Sequence, residues 1–273
     1  MVPNHHLYEA AWSAAALVWS VVGALLLRRR TAGAAPWPRL AALAACTVSA
    51  SILGARAHFV ALAPDLLSTL GWRALVLPLT DGAGLRITGG LLAGAVVIMA
   101  TGPVATRYAL PRAAIADVLV PAAGFAIALG RLGCFADGCC FGVPCAGPWC
   151  VGFPAGSPAW WSHVAQGLVS TTADASRPVH PLQLYLGVAA LTASATALLA
   201  FRRSGLPDGA RALLFIVVLS LLRAGIEPLR ESSFGAGVAN EPAVSLMVAA
   251  CALAALVRLG RAQRAAGRAP SVS

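Results

Sequence analysis

Apolar residues gather into seven long stretches along the chain, near 9–27, 40–63, 87–106, 113–133, 182–201, 210–229 and 242–257. A bilayer core about 30 Å thick takes about 20 apolar residues per spanning helix. The pattern therefore predicts an all-α integral membrane protein with seven transmembrane helices. No polar domain interrupts the series, so residues 1–273 read as a single polytopic membrane domain with one long outer loop at about 134–181. The first stretch reads as a retained span and not a cleavable signal peptide, because Arg28, Arg29 and Arg30 follow its apolar run instead of preceding it.

Composition narrows the class. Hydrophobic residues make up 59% and charged residues 11%, against roughly 45–50% and about 25% in an ordinary soluble domain, which excludes a soluble globule. The net charge is +10, and all 20 basic residues are Arg. In a soluble chain that excess would suggest nucleic acid; here it follows the bias of basic residues toward cytoplasmic loops. An outside N-terminus and a cytoplasmic C-terminus place thirteen of the 20 arginines in cytoplasmic segments, including Arg28 to Arg30 and the tail. Arg73, Arg86 and Arg177 fall in outer loops. Attraction to anionic membrane lipids accounts for the rest of the basic excess, and no nucleic-acid partner is expected.

Arg56, Arg131, Arg223 and Arg230 remain at membrane depth, where an ionised side chain costs at least about 2.5–3.5 kcal/mol on insertion scales and needs a partner or a task. In the sixth span Arg223, Glu227 and Arg230 are offset by four and three residues and share one helical face. Two guanidiniums flanking one carboxylate suit a phosphate or carboxylate; a structural ion pair with a snorkelling arginine is the plainer alternative. Arg131 closes the fourth span between Gly130 and Gly133. Arg56 ends the second, near His58. Gly89 and Gly90 open the third span and either free backbone N–H groups for an anion or serve tight helix packing.

Cys134, Cys139, Cys140, Cys145 and Cys150 crowd the start of the outer loop. An oxidising compartment favours disulfides, with one thiol left over. Redox chemistry would ordinarily use C-x-x-C, and the spacing matches no common zinc pattern; both stay as alternatives, with no metal or cofactor expected. Cys46 and Cys251 read as small apolar residues packed within spans. The loop ends with His180, Gln183 and Tyr185, where Pro181 keeps the preceding backbone extended.

These motifs, taken in order, resemble the bacterial prolipoprotein diacylglyceryl transferase family: G-x-R at Gly54 and Arg56, G-G-L at Gly89, Gly90 and Leu91, and G-R-x-G-x-F from Gly130 through Phe135. H-P-x-Q-x-Y follows at His180, Pro181, Gln183 and Tyr185, and R-x3-E-x2-R at Arg223, Glu227 and Arg230. The resemblance implies a multi-pass enzyme of the bacterial plasma (inner) membrane, with its site toward the outer leaflet. It would move a diacylglyceryl group from phosphatidylglycerol to the lipobox Cys thiol of a prolipoprotein. By the same resemblance Arg131, Arg223, Arg56, Gly89 and Gly90 would bind the lipid phosphate. Arg223, Glu227, Arg230, His180 and Tyr185 would serve the chemistry.

Three departures from the family pattern involve four positions. Thr88 stands where the family has a His that assists thiol deprotonation, Cys134 and Cys139 stand where it has Asn and Glu, and Phe59 replaces a Tyr. A membrane thiol-disulfide oxidoreductase using Cys139 or Cys140 and a non-catalytic lipid-binding relative are the competing readings.

Overall fold

A computed structural model of the chain describes residues 5–32, 35–61, 68–69, 71, 73, 87–101, 111–200, 205–231 and 241–266. The elements are α1 (His5–Arg30), α2 (Trp37–Ala61), α3 (Ile87–Ala100), α4 (Arg112–Asp137), α5 (Pro158–Ala165), α6 (Leu182–Ala200), α7 (Ala210–Ile226) with the 3-10 turn Glu227–Leu229, and α8 (Glu241–Ala266). Among the described residues the only sheet-like pairing is a set of isolated bridges.

Six of the helices are long and apolar enough to cross a membrane: His6–Arg30, Trp37–Ala61, Arg112–Asp137, Leu182–Ala200, Ala210–Leu229 and Pro242–Ala265. Their outward faces carry Leu17, Leu53, Val188 and Met247, exposed as expected where lipid covers a helix. Of the stretch read at 87–106, α3 accounts for 14 residues. Residues 102–110, with the end of that stretch, and residues 81–86, which precede it, lie outside the described residues. Cys46 and Cys251 are exposed, so they point away from neighbouring helices and are not packed between them.

The chain divides into two compact units, Ala16–Ala122 and Met1–Ala15 with Ala123–Ser273. In the first, Leu27, Leu40, Leu43, Ile98, Ile115 and Leu119 form the core, and the indole of Trp19 donates to the carbonyl of Leu119 at 2.9 Å. α2 and α3 meet through glycines. A Cβ on Gly54 would collide with Ala93 and the Gly89 backbone, and one on Gly90 would lie 2.9 Å from the Ser51 carbonyl. Gly89 and Gly90 therefore occupy a helix crossing, the close approach that small residues permit.

In the second unit the same device recurs on α4. A Cβ on Gly124 would meet the Ala190 carbonyl of α6 at 2.7 Å and Phe215 of α7 at 2.9 Å; one on Gly130 would meet the Trp12 ring at 2.8 Å, and one on Gly133 would meet Ala11 at 2.6 Å. Below α4 the loop has its own small core of Phe141, Phe153, Ala159 and Val179, with Phe135 against it. The short α5 starts where Ser157 accepts from the Trp160 N–H, with Pro158 at the first helical position, a pairing that satisfies one helix-end donor and removes another.

Candidate active site

Three segments distant in sequence are joined by backbone hydrogen bonds in the second unit. The Gly142 N–H donates to the His180 carbonyl at 3.0 Å, the His180 N–H to Val143 at 3.1 Å, and the Val143 N–H to Leu229 at 2.8 Å. Local sequence dictates each partner. Pro178 and Pro181 hold the residues before them, Arg177 and His180, extended. Pro228 cannot continue α7, so the helix tightens into one 3-10 turn and Arg230 leaves it extended, at φ −74° and ψ 135°. Gly142 fits between because a Cβ there would lie 2.6 Å from the Leu229 carbonyl and 2.8 Å from the His180 Cβ. The cysteine loop, the His180 motif and the end of α7 thereby become one surface.

On that surface Glu227 is buried, its side chain 2% exposed, and is gripped from both sides. Arg230 Nε pairs with Oε1 and Nη2 donates to Oε2 at 3.5 Å. Arg223 Nε lies 3.6 Å from Oε2. Arg131, from the last turns of α4, lies within Coulombic reach of Glu227, and its buried Nε has no hydrogen-bond partner among the described residues. The Arg131 Cβ sits against α6 at Gly187. Two guanidiniums on one carboxylate, with Arg131 in Coulombic range, leave a net positive cluster suited to an anion. His180 Nδ1 and Tyr185 Oη lie 3.3 Å apart.

The cysteines divide differently from the sequence expectation. Cys145 and Cys150 form a disulfide, whereas Cys134, Cys139 and Cys140 are free thiols, with their sulfurs all within 4.8 Å of one another. The end of α4 explains the grouping. Gly138, at φ 76°, donates to the Phe135 carbonyl at 3.2 Å, and the Cys139 N–H donates to the Cys134 carbonyl at 3.2 Å. This is a glycine-terminated helix cap that folds the chain back on its last turn. Cys140 follows with φ 56°, which brings three thiols together at a spacing no ligand pattern anticipates.

Hydrogen bonds from Cys134 and Cys139, aided by the Arg131 and Arg230 guanidiniums, hold the Cys140 thiol well below the usual thiol range. Hydrogen bonding to Cys134 and Cys140, with burial, pushes Cys139 up.

Gln183, from the His180 motif, and two residues not singled out in the sequence, Tyr8 and His163, pack around the site and its loop. Gln183 is fully buried, and its amide donates to the Cys139 carbonyl at 2.6 Å. Tyr8, from α1, lies within Coulombic reach of Arg131 and the three thiols. His163 is fully buried; its Nδ1 accepts from the Arg177 N–H at 3.1 Å, and burial lowers its pKa. Gln183 belongs to the His180 motif and was legible through it; Tyr8 and His163 belong to no motif.

Arg56, Gly89 and Gly90 lie in the other unit. Arg56 is buried there with its guanidinium 5.7 Å from the Phe59 ring centroid. Thr88 lies on the first turn of α3, and its side chain lies outside the described residues.

The family model described as prolipoprotein diacylglyceryl transferase matches residues 5–258. The chain belongs to that family. A phosphatidylglycerol–prolipoprotein diacylglyceryl transferase of Rhodopirellula baltica is 35% identical over 118 residues, 42% of this chain and 23% of the relative. A protein of the same name from Prochlorococcus marinus is 29% identical over 200 residues, 67% of this chain and 61% of the relative. The chain thus spans under a quarter of one relative and about three fifths of the other. Two of the departing positions set out above, Cys134 and Cys139, stand together with Cys140 in the thiol cluster.

Proposed function

We propose that the chain transfers a diacylglyceryl group from phosphatidylglycerol to the lipobox Cys thiol of a prolipoprotein, at the outer leaflet of a bacterial plasma membrane. The observation that carries this reading is the buried Glu227 clamped by Arg223 and Arg230, with Arg131 in range.

The acceptor sulfur, having lost its proton, attacks the glyceryl carbon; the carbon–oxygen bond to phosphate breaks, and glycerol phosphate departs. A phosphodiester thereby becomes a phosphomonoester, and negative charge accumulates on the leaving phosphate. Three cations against one carboxylate supply preorganised charge for that moment, and such donors act where charge develops without further reorganisation. Glu227 fixes the Arg223 and Arg230 guanidiniums in one geometry. His180, paired by its backbone with Gly142 and Val143, and Tyr185, 3.3 Å from its ring, would supply polar groups for a headgroup hydroxyl.

The test is to incubate the purified protein with phosphatidylglycerol and a lipobox peptide, and to detect the thioether by mass spectrometry. Product is expected, and Arg131→Ala and Arg223→Ala should each lower its rate about 10²–10³-fold with the fold retained. Absence of product while a family enzyme works in parallel overturns the reading, as does full activity in both variants.

A further inference from the structure

Cys134, Cys139 and Cys140 bring their sulfurs within 4.8 Å of one another, outside the disulfide that occupies the other two loop cysteines. Tetrahedral zinc binds thiolate sulfur at about 2.3 Å, which sets sulfurs about 3.8 Å apart. The three thiols need close by only about an ångström to meet that geometry. We propose that Cys134, Cys139 and Cys140 form a three-thiolate zinc site whose fourth position is open to an external thiol.

The backbone around the cluster is already fixed from two sides. The Cys134 carbonyl accepts from the Cys139 N–H, and the Cys139 carbonyl accepts from buried Gln183 at 2.6 Å. Metal-ligand loops depend on such support to hold their side chains in place. Charge also balances. Three thiolates and one Zn²⁺ sum to −1, and the Arg131 and Arg230 guanidiniums lie within Coulombic reach of Cys140.

Among the described residues no fourth His, Cys, Asp or Glu joins the group. Structural zinc sites close with four protein ligands, whereas three protein ligands leave a position for water or substrate. Cys140 is an exposed residue, so the cluster borders the protein surface.

The identity of the fourth ligand rests on the transferase reading. Thr88 occupies the position of the family's His, and a zinc-bound thiol is deprotonated outright. The acceptor thiol displaces water, its proton passes to solvent, and its sulfur remains bound as thiolate. The sulfur then forms its bond to the glyceryl carbon as the carbon–oxygen bond breaks and glycerol phosphate leaves toward the arginines. Zinc keeps its oxidation state throughout, and water returns to the fourth position.

Full-length protein in detergent, reduced and stripped of metal, is titrated with Zn²⁺ against a chelating dye and with Co²⁺ by absorbance. One equivalent of zinc should bind. Cobalt should give sulfur-to-metal charge transfer and the strong visible bands of tetrahedral coordination. Cys134→Ser, Cys139→Ser and Cys140→Ser should each weaken zinc by at least about 100-fold, more than the roughly 10–100-fold that loss of a supporting hydrogen bond gives. Cys46→Ser and Cys251→Ser should leave affinity unchanged.

Lack of stoichiometric binding by the wild-type protein overturns the site, whatever the variants do. So does binding that survives replacement of all three cysteines, or recovery of the protein from membranes under thiol-trapping conditions with a disulfide within the trio. A lipobox cysteine peptide should shift the cobalt bands, while its serine counterpart should not; an unshifted spectrum overturns the thiol-ligand role. Neither readout requires diacylglyceryl transfer, so failure of the transfer assay alone stays distinct from failure of the metal site.

Discussion

Glu227 has its side chain 2% exposed and faces a guanidinium on each side. Removing one partner from a buried charge cluster leaves the others uncompensated, at a cost of about 3–5 kcal/mol. Glu227→Ala should therefore lower the thermal unfolding midpoint in detergent more than Glu227→Gln, whose one amide oxygen still accepts from an arginine.

His163 offers a test by pH. Its pKa is depressed by burial, with Arg177 adding to the shift and Glu231 opposing it. The folded state thus binds fewer protons than the unfolded chain as pH falls through the ordinary histidine value near 6.5, and stability drops with falling pH. Proteolysis of the loop at 141–181 should quicken between about pH 7 and pH 5, and His163→Gln should flatten that dependence. An unchanged slope would place the sensitivity elsewhere.

At the scale of elements, the end of α4 sets the thiol cluster. Gly138 takes φ 76°, and a Cβ there would also meet Phe153 at 3.0 Å and Ser157 at 3.1 Å. Gly138→Ala should cost about 1–2 kcal/mol from the left-handed backbone alone. The informative readout is whether a short bis-alkylating reagent that bridges pairs among Cys134, Cys139 and Cys140 in the wild type loses yield in the variant. The spacing C-x4-C-C looked unlike a ligand set because spacing patterns assume extended or hairpin connections between ligands. A helix cap that folds back on its own last turn brings residues five apart together instead. Gly138, one residue beyond the end of α4, was the legible signal.

The grouping of Arg223, Glu227 and Arg230 was readable from offsets of four and three, but the single helical face was not what forms: α7 stops before Glu227, and a 3-10 turn followed by extended Arg230 closes the cluster. The pairing of Gly142 with His180 and of Val143 with Leu229 was not readable. Each joins backbone groups far apart in the chain and leaves no periodic trace.

At the scale of the whole molecule, long apolar runs are the strongest signal a sequence carries, and six of the seven expected spans correspond to helices able to cross a bilayer. α3 is 14 residues long, six of them Gly or Ala, and its fate decides the topology. Seven crossings put the termini on opposite sides; six put them on the same side. The arginines favour seven, because Arg28 to Arg30, Arg202 with Arg203, and Arg258 with Arg261 then all face the cytoplasm. With α3 failing to cross, the segments before and after it could not all satisfy that bias. Alkaline phosphatase fusions after residues 31, 66, 108, 172, 205 and 266 should be inactive, active, inactive, active, inactive and inactive in turn. Active phosphatase at 108 combined with inactive phosphatase at 172 would reverse every later segment and remove the cysteine loop, with its arginines, from the outer face.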